Sequence, residues 1–172
     1  MKGILFSEQM FNAVIKGRKT QTRRIVKLQP PSKNIWNVKR GLVPDYFKFT
    51  DSFYIEKDIR IIPIYKVGET VYIKEQFFID DDRIIYRYDK YVGDNIICKW
   101  GNPRTMAAKQ ARYFIEITGV RCERLQDISE HDAKLEGCNS INYYINLIND
   151  IHKRDIWKEN PFVFVYSFIL KK

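Results

Sequence analysis

Four basic side chains and two threonines lie within eight residues near the start of the chain, in the segment GRKTQTRR at residues 17–24. The wider window 16–27 holds six basic residues and no carboxylate, within a chain whose formal net charge is +9. Lysines and arginines that neutralise phosphates release counterions, so such a cluster favours a polyanionic partner. The segment has no apolar residues at helical spacing, as a membrane-surface helix would. We therefore interpret it as a surface that binds nucleic acid.

The nucleic-acid-binding candidates are the arginines of this segment and two charged residues later in the chain. The three arginines of the segment are Arg18, Arg23 and Arg24. A solvated basic edge strand is the alternative explanation of these charges. Glu75 shares a strand face with Val71 and Ile73, which predicts an inward carboxylate near a pocket or in an ion pair with an arginine. Arg104 belongs to a proline-marked loop, GNPRT, that either closes over a ligand or faces solvent.

Length and composition indicate one folded domain without a bound metal or cofactor. The chain has 172 residues, of which 45% are hydrophobic and 15% aromatic. No run approaches the roughly 20 apolar residues of a membrane span, and the apolar N-terminal stretch is too short for a signal peptide. We therefore expect a cytoplasmic protein with no membrane partner. The three cysteines and two histidines lack the spacing of a disulfide framework or a zinc site.

The periodicity of the chain predicts an α+β fold built on a small barrel or strongly curved sheet, with short helices. One helix should begin at Ser7 and end at Gly17, which delivers the chain to the basic segment. Another should begin at Ser129, whose capping box includes Asp132, and end at Gly137. An apolar stripe after it predicts a further helix.

Strands are predicted in the remaining regular segments, with irregular insertions between them. A half-buried strand should cover Val71–Glu75, and another Tyr113–Val120. The segment FVFVYSFIL near the C-terminus is apolar on both faces, which predicts a strand in the middle of a sheet or in a barrel wall. Prolines and a glycine in residues 29–44 predict an irregular loop there.

Three segments together resemble the ASCH family, a branch of the PUA-like fold, in its longer phage and prophage form. They are ILFSEQMFNAVIKGRKTQTRR, KVGETVYIKE, and ITGVRCERLQDISEHDAKLEG followed by NPFVFVYSF. The resemblance covers most of a single domain, 1–172, and leaves insertions near 29–62 and 80–100. It implies a PUA-like pseudo-barrel, that is, a curved mixed sheet with short flanking helices. Because ASCH proteins resemble RNA-binding PUA domains, it also implies RNA or a modified, cytidine-like nucleoside as the partner.

The resemblance further implies a set of catalytic residues. Some small bacterial ASCH proteins are amidohydrolases that remove the acetyl group of N4-acetylcytidine with a lysine, a threonine and a glutamate. Residue by residue, these fall on Lys19, Thr22 and Glu136. In such a site the lysine would deprotonate the threonine hydroxyl, and the glutamate would orient it or shuttle a proton, with either the threonine or an activated water as the attacking group. A non-catalytic RNA-binding module and a ribonuclease, in phage or prophage biology, are the alternatives. The alternative interpretation of Glu136 is a surface helix residue without a site role.

Two geometric conditions follow from this assignment. Residues three apart on a straight strand face opposite sides, so the chain must turn between Lys19 and Thr22 if both are to face one ligand. A carboxylate at the C-terminal end of a helix opposes the helix macrodipole, so a basic group should lie next to Glu136. The catalytic hypothesis requires these three side chains to meet in one cavity.

Overall fold

The computed structural model describes residues 1–30, 36–40, 46–51, 59–81, 83–88 and 99–171, which form an α+β fold. Its strands are β1 Gly3–Leu5, β2 Gln21–Ile25, β3 Trp36–Arg40, β4 Phe47–Asp51, β5 Ile59–Ile61, β6 Thr70–Lys74, β7 Phe77–Asp80, β8 Arg83–Tyr86, β9 Phe114–Arg124 and β10 Phe162–Lys171. Its α-helices are α1 Glu8–Ile15, α2 Glu130–Leu135, α3 Ile141–His152 and α4 Ile156–Glu159. Short 3₁₀ segments lie at Pro103–Thr105, Ala108–Gln110 and Leu125–Asp127.

The main sheet is mixed and has five strands in the order β1-β6-β9-β10-β2. Strand β1 runs parallel to β6, and the other neighbours are antiparallel. The predicted α+β class with a mixed sheet and short helices is therefore confirmed. The described strands do not close into a barrel, however, because β1 and β2 remain as the two edges of this sheet.

Strand β10 lies between β9 and β2, as its apolar sequence predicts, and it is buried on both faces from Phe162 to Tyr166. Alternate side chains belong to two hydrophobic clusters. Phe164 and Tyr166 belong to a cluster with residues of α1 and of strands β4, β5 and β6. Val163 and Val165 belong to a second cluster with residues of helices α2, α3 and α4. Because a strand alternates its side chains between faces, β10 joins the two clusters into one folded unit.

The predicted helix boundaries near the basic segment are confirmed. Helix α1 has Ser7 as its N-cap residue, and Gly17 follows it with φ +71°. Helix α2 begins where the Asp132 N–H donates to the Ser129 hydroxyl at 3.0 Å, and Gly137 follows it with φ +84°. Both glycines adopt the left-handed conformation that ends a helix. In the described part of the chain, no helix has the length and apolarity needed to cross a membrane.

The predicted irregular loop over residues 29–44 is wrong, because β3 lies within it. Strand β3 pairs with β4, and β4 pairs with β5, in a separate antiparallel sheet. The prolines and the glycine that indicated a loop all lie outside the strand. Pairing with β4, whose residues lie 7 to 15 positions further along the chain, makes this segment a strand, and the composition of the segment itself does not show that pairing.

Two other strand predictions need correction. The strand at Tyr113–Val120 continues to Arg124, because β10 pairs with it along that whole length. Strand β6 is not half-buried, since Tyr72 is also buried and its hydroxyl donates to the Met106 carbonyl at 2.9 Å. The sequence also favours strands in segments 53–65 and 84–92, and these segments contain β5 and most of β8. Residues 62–65 and 87–88 are not strand, and residues 53–58 and 89–92 lie outside the described ranges.

The end of α2 is packed closely enough against α1 to be tested by mutation. A Cβ atom at Gly137 would lie 3.1 Å from the Ala13 Cβ and 3.2 Å from the Lys19 Cβ, whereas one at Gly68, with φ +82°, would contact nothing. We expect Gly68→Ala to lower the free energy of unfolding by about 1–2 kcal/mol through backbone strain alone. Gly137→Ala should cost clearly more in urea denaturation. Equal losses would show that the α1–α2 contact adjusts freely.

Candidate functional site

One cavity of about 410 Å³ brings together most of the predicted site residues. The predicted residues that line it are Lys19, Thr22, Arg23, Arg24, Arg104 and Glu136. The rest of the wall is largely apolar and comes from the β1–α1 segment and from α3. A cavity of this volume, with an apolar wall and a few polar groups, is typical of small-molecule sites. The three proposed catalytic side chains therefore share one cavity, as the hypothesis requires.

The chain turns between Lys19 and Thr22, which meets the first geometric condition. The N–H groups of Arg18 and Lys19 both donate to the Ala13 carbonyl, at 2.9 and 3.0 Å, which folds this segment back onto α1. Strand β2 begins only at Gln21, so Lys19 lies before it and Thr22 within it. The left-handed glycine at the end of α1 thus places Lys19 and Thr22 on the same cavity.

Lys19 and Glu136 form a buried ion pair at the end of α2. The Lys19 Nζ lies 2.6 Å from the Glu136 Oε2 and donates to the Glu136 carbonyl at 2.8 Å. Each residue is only 3% exposed. The ammonium therefore neutralises both the carboxylate and the negative end of the helix, which confirms the predicted basic neighbour of Glu136.

Arg23 holds the other oxygen of the same carboxylate. Its Nη1 lies 3.1 Å from the Glu136 Oε1, and its Nη2 lies 2.7 Å from Glu123 and 3.2 Å from Asp132. Arg121 contacts these last two carboxylates from the other side, at 2.7 and 3.1 Å. The sequence favours nucleic-acid binding by Arg23, but in the structure its buried guanidinium is paired with carboxylates. It positions Glu136.

Burial and the neighbouring charges shift the pKa values of Lys19 and Arg23. Burial lowers the pKa of Lys19, and although Glu136 opposes the shift, the nearby charge of Arg24 adds to it. Burial also disfavours the charge of Arg23, but Glu136 and Glu123 outweigh it and raise the pKa of that guanidinium. The ammonium of Lys19 is thus easier to deprotonate than that of a surface lysine, while Arg23 stays charged.

Tyr144 is a cavity residue that the sequence does not single out. Its hydroxyl and the Nε of Arg23 are the two buried side-chain polar atoms in the described ranges that have no hydrogen-bond partner. The Arg23 guanidinium lies over the Tyr144 ring, 6.0 Å from its centroid. Burial raises the pKa of Tyr144, and Glu136 adds to the shift, so the phenol is protonated. Tyr144 belongs to the apolar stripe of α3, and the hydroxyl of its side chain is the one feature in the sequence that could have indicated a role in the site.

Two predicted site residues lie elsewhere. Arg18 is exposed and lines a separate pocket beside Gly137 and Cys138. Glu75 is buried and does not line the cavity, and its Oε1 lies 2.9 Å from the Nε of Arg112. The ion pair that the sequence left open for Glu75 is therefore the arrangement observed.

Comparison with known proteins adds no relative to this description. No family model, curated protein or solved structure matches the chain. The ASCH resemblance therefore stays a prediction, and the chemistry of the site rests on its geometry.

The stability of a Tyr144 variant tests whether the Tyr144 hydroxyl has no hydrogen-bond partner. A buried hydroxyl without a partner has lost its hydration and gained no hydrogen bond, which costs about 1–3 kcal/mol. We expect Tyr144→Phe to leave the free energy of unfolding unchanged or to raise it, as measured by urea denaturation. Tyr72→Phe, which removes a hydroxyl bonded to a buried carbonyl, is the matched control and should lower it. A loss of stability in Tyr144→Phe would mean that its hydroxyl is bonded.

The network around Arg23 predicts a pH dependence. Burial favours the neutral form of Asp132, but Arg121, Arg23 and hydrogen bonds from Ser129 outweigh it and lower its pKa below the usual 3.8. A carboxylate with a lowered folded pKa stabilises the protein above pH 3.8, and the effect is lost as the pH falls through the folded value. Asp132→Asn should therefore lower the free energy of unfolding at pH 7 and lose its effect near pH 2.

The control for this measurement is Asp150→Asn, which alters an exposed pair with Lys153. We expect that variant to change the stability little at either pH, because exposed ion pairs contribute at most about 1 kcal/mol. A pH profile for Asp132→Asn parallel to that of the wild type would contradict the assignment.

Proposed function

We propose that the chain is an ASCH-type, PUA-like protein whose cavity binds a modified cytidine, free or in RNA, and hydrolyses its exocyclic amide. The observation that carries this proposal is the meeting of Lys19, Thr22 and Glu136 in one cavity of about 410 Å³. Hydrolysis of an amide needs a nucleophile, a proton carrier and donors for the developing oxyanion. These three residues and their neighbours supply groups for each task.

In the proposed reaction, the amine form of Lys19 takes the proton of the Thr22 hydroxyl as the Thr22 oxygen bonds to the acyl carbon. The new ammonium is stabilised by the Glu136 carboxylate 2.6 Å away. When the bond between the acyl carbon and the exocyclic nitrogen breaks, the ammonium returns a proton to the leaving amine. Water then hydrolyses the threonine ester, releasing acetate and restoring the hydroxyl.

The lowered pKa of Lys19 supports its role as the base. A surface lysine is almost fully protonated near neutral pH and accepts no proton. Burial brings the amine form of Lys19 closer to that range, and Arg23 keeps Glu136 in place beside it. The Nε of Arg23 and the hydroxyl of Tyr144 have no partner among the described residues and belong to residues that line the cavity, so they suit a carbonyl oxygen that gains negative charge.

A non-catalytic nucleic-acid-binding module is the second candidate. The observation that favours it is the contact between Lys19 and Glu136, in which the Lys19 Nζ donates to both the carboxylate and the carbonyl of Glu136. A lysine held in this way also serves as a structural cap of α2. Substrate turnover separates the two candidates.

We expect the protein to convert N4-acetylcytidine to cytidine and acetate, as followed by liquid chromatography. Thr22→Val keeps the shape of the side chain and removes the hydroxyl, and Lys19→Ala removes the base. Each should lower kcat/KM by about 10²-fold or more. Lys16→Ala is the matched control, since Lys16 belongs to the basic window 16–27 but is exposed and does not line the cavity.

The outcomes separate the candidates clearly. Deacetylation that survives Thr22→Val rejects threonine as the nucleophile. Absence of deacetylation by the wild type, together with salt-dependent binding of an RNA oligonucleotide, rejects the hydrolase and supports the binding module. The melting temperature of each variant shows whether a loss of turnover follows from unfolding.

A further inference from the structure

The cavity contains positive charges that no carboxylate of the described chain neutralises. Glu136 is the one carboxylate among its described lining residues, and Lys19 and Arg23 bind both of its oxygens. Arg24 and Arg104 line the same cavity, and neither forms an ion pair within the described ranges. Two guanidinium groups in the wall of a concave site thus remain available to an anion.

Arg24 is held in a fixed position at one side of the cavity. Its Nη2 donates to the Leu5 carbonyl at 2.8 Å, and its Cζ lies 5.7 Å from the centroid of the Phe6 ring. The Lys19 Nζ lies at the same distance from that ring. Arg24 and Lys19 therefore both contact the Phe6 ring, and the half-buried side chain of Arg24 keeps donors beyond the one that Leu5 uses.

Arg104 approaches the same end of β1 from another element. It belongs to the short segment Pro103–Thr105, in which the Asn102 side chain accepts a hydrogen bond from the Arg104 N–H. The Arg104 carbonyl accepts from the Lys74 Nζ at 2.7 Å, and Lys74 pairs in register with Leu5. The backbone of Arg104 is thus anchored beside Leu5, while its side chain is exposed at the cavity.

We propose that Arg24 and Arg104 bind a phosphate group of the ligand, so that the cavity takes a nucleotide or a nucleotide unit of RNA in preference to a free nucleoside. This inference rests on the proposed binding of a cytidine-like base near Lys19. Guanidinium groups bind phosphate oxygens through paired, charge-assisted hydrogen bonds. A free nucleoside has no anion for these two groups.

The direct test compares the binding of cytidine, cytidine 5′-monophosphate and a cytidine trinucleotide by titration calorimetry. We expect the monophosphate to bind the wild-type protein roughly 10-fold more tightly than cytidine, as charge-assisted contacts of this kind provide. The advantage should shrink as the salt concentration rises. A terminal phosphate as the natural ligand group predicts equal affinity for the monophosphate and the trinucleotide, whereas an internal phosphodiester predicts tighter binding of the trinucleotide.

Variants locate the phosphate site. Arg104→Ala should remove most of the advantage of the monophosphate and leave the affinity for cytidine within about twofold. Arg24→Lys keeps the charge near Phe6 but loses the planar fork, and it should weaken monophosphate binding more than cytidine binding. Arg83→Ala, at an exposed arginine of the β7–β8 hairpin outside the cavity, is the matched control and should change neither.

The results also separate this inference from the proposed hydrolase. Equal binding of cytidine and its monophosphate by the wild type, or equal weakening of both by Arg104→Ala, overturns the phosphate site even if N4-acetylcytidine is deacetylated. A phosphate preference that depends on Arg104, without any deacetylation, keeps the site and rejects the hydrolase. Failure to bind any of the three probes overturns the phosphate site, and the deacetylation assay then decides the hydrolase alone.

Discussion

The buried carboxylate of Glu136 is the group on which the arrangement of the site depends. Each of its oxygens contacts a cation, Lys19 on one side and Arg23 on the other. A carboxylate excluded from water is tolerated only where such partners replace its hydration. The pairing therefore fixes three elements relative to one another: the turn after α1, strand β2 and the end of α2. It also places both cations on the cavity.

A buried charge cluster of this kind is a poor explanation of stability alone. The attraction between buried charges often only balances the free energy lost by removing them from water, and apolar residues of similar size can pack at least as well. The Lys19–Glu136–Arg23 cluster also leaves the Nε of Arg23 and the neighbouring Tyr144 hydroxyl without partners. Groups that are unfavourable for folding, and that gather around one cavity, fit a site in which a ligand supplies the missing contacts.

Local signals in the sequence predicted most of the helices and strands, and contacts between segments decided the features that those signals missed. Ser7, Gly17 and Gly137 mark helix ends that depend only on neighbouring residues, and the apolar β10 segment shows its own burial. Strand β3 exists because β4 pairs with it, which no local pattern reports. A run of basic residues in the sequence also does not show which arginine forms ion pairs in the fold and which one can bind a ligand. Arg23 lies 113 positions before the carboxylate that it binds.

The alternation of strand β2 explains why two adjacent arginines differ so much in their contacts. Arg23 pairs in register with Val165 and Arg24 with Phe164, and these two belong to the two hydrophobic clusters on opposite faces of β10. Arg23 therefore points toward the carboxylates around α2, whereas Arg24 points toward Phe6 and β1. Because β2 is an edge of the described sheet, a cavity along it can meet both faces. One face of β2 thus provides fixed charges that position Glu136, and the other provides a charge that a ligand can neutralise.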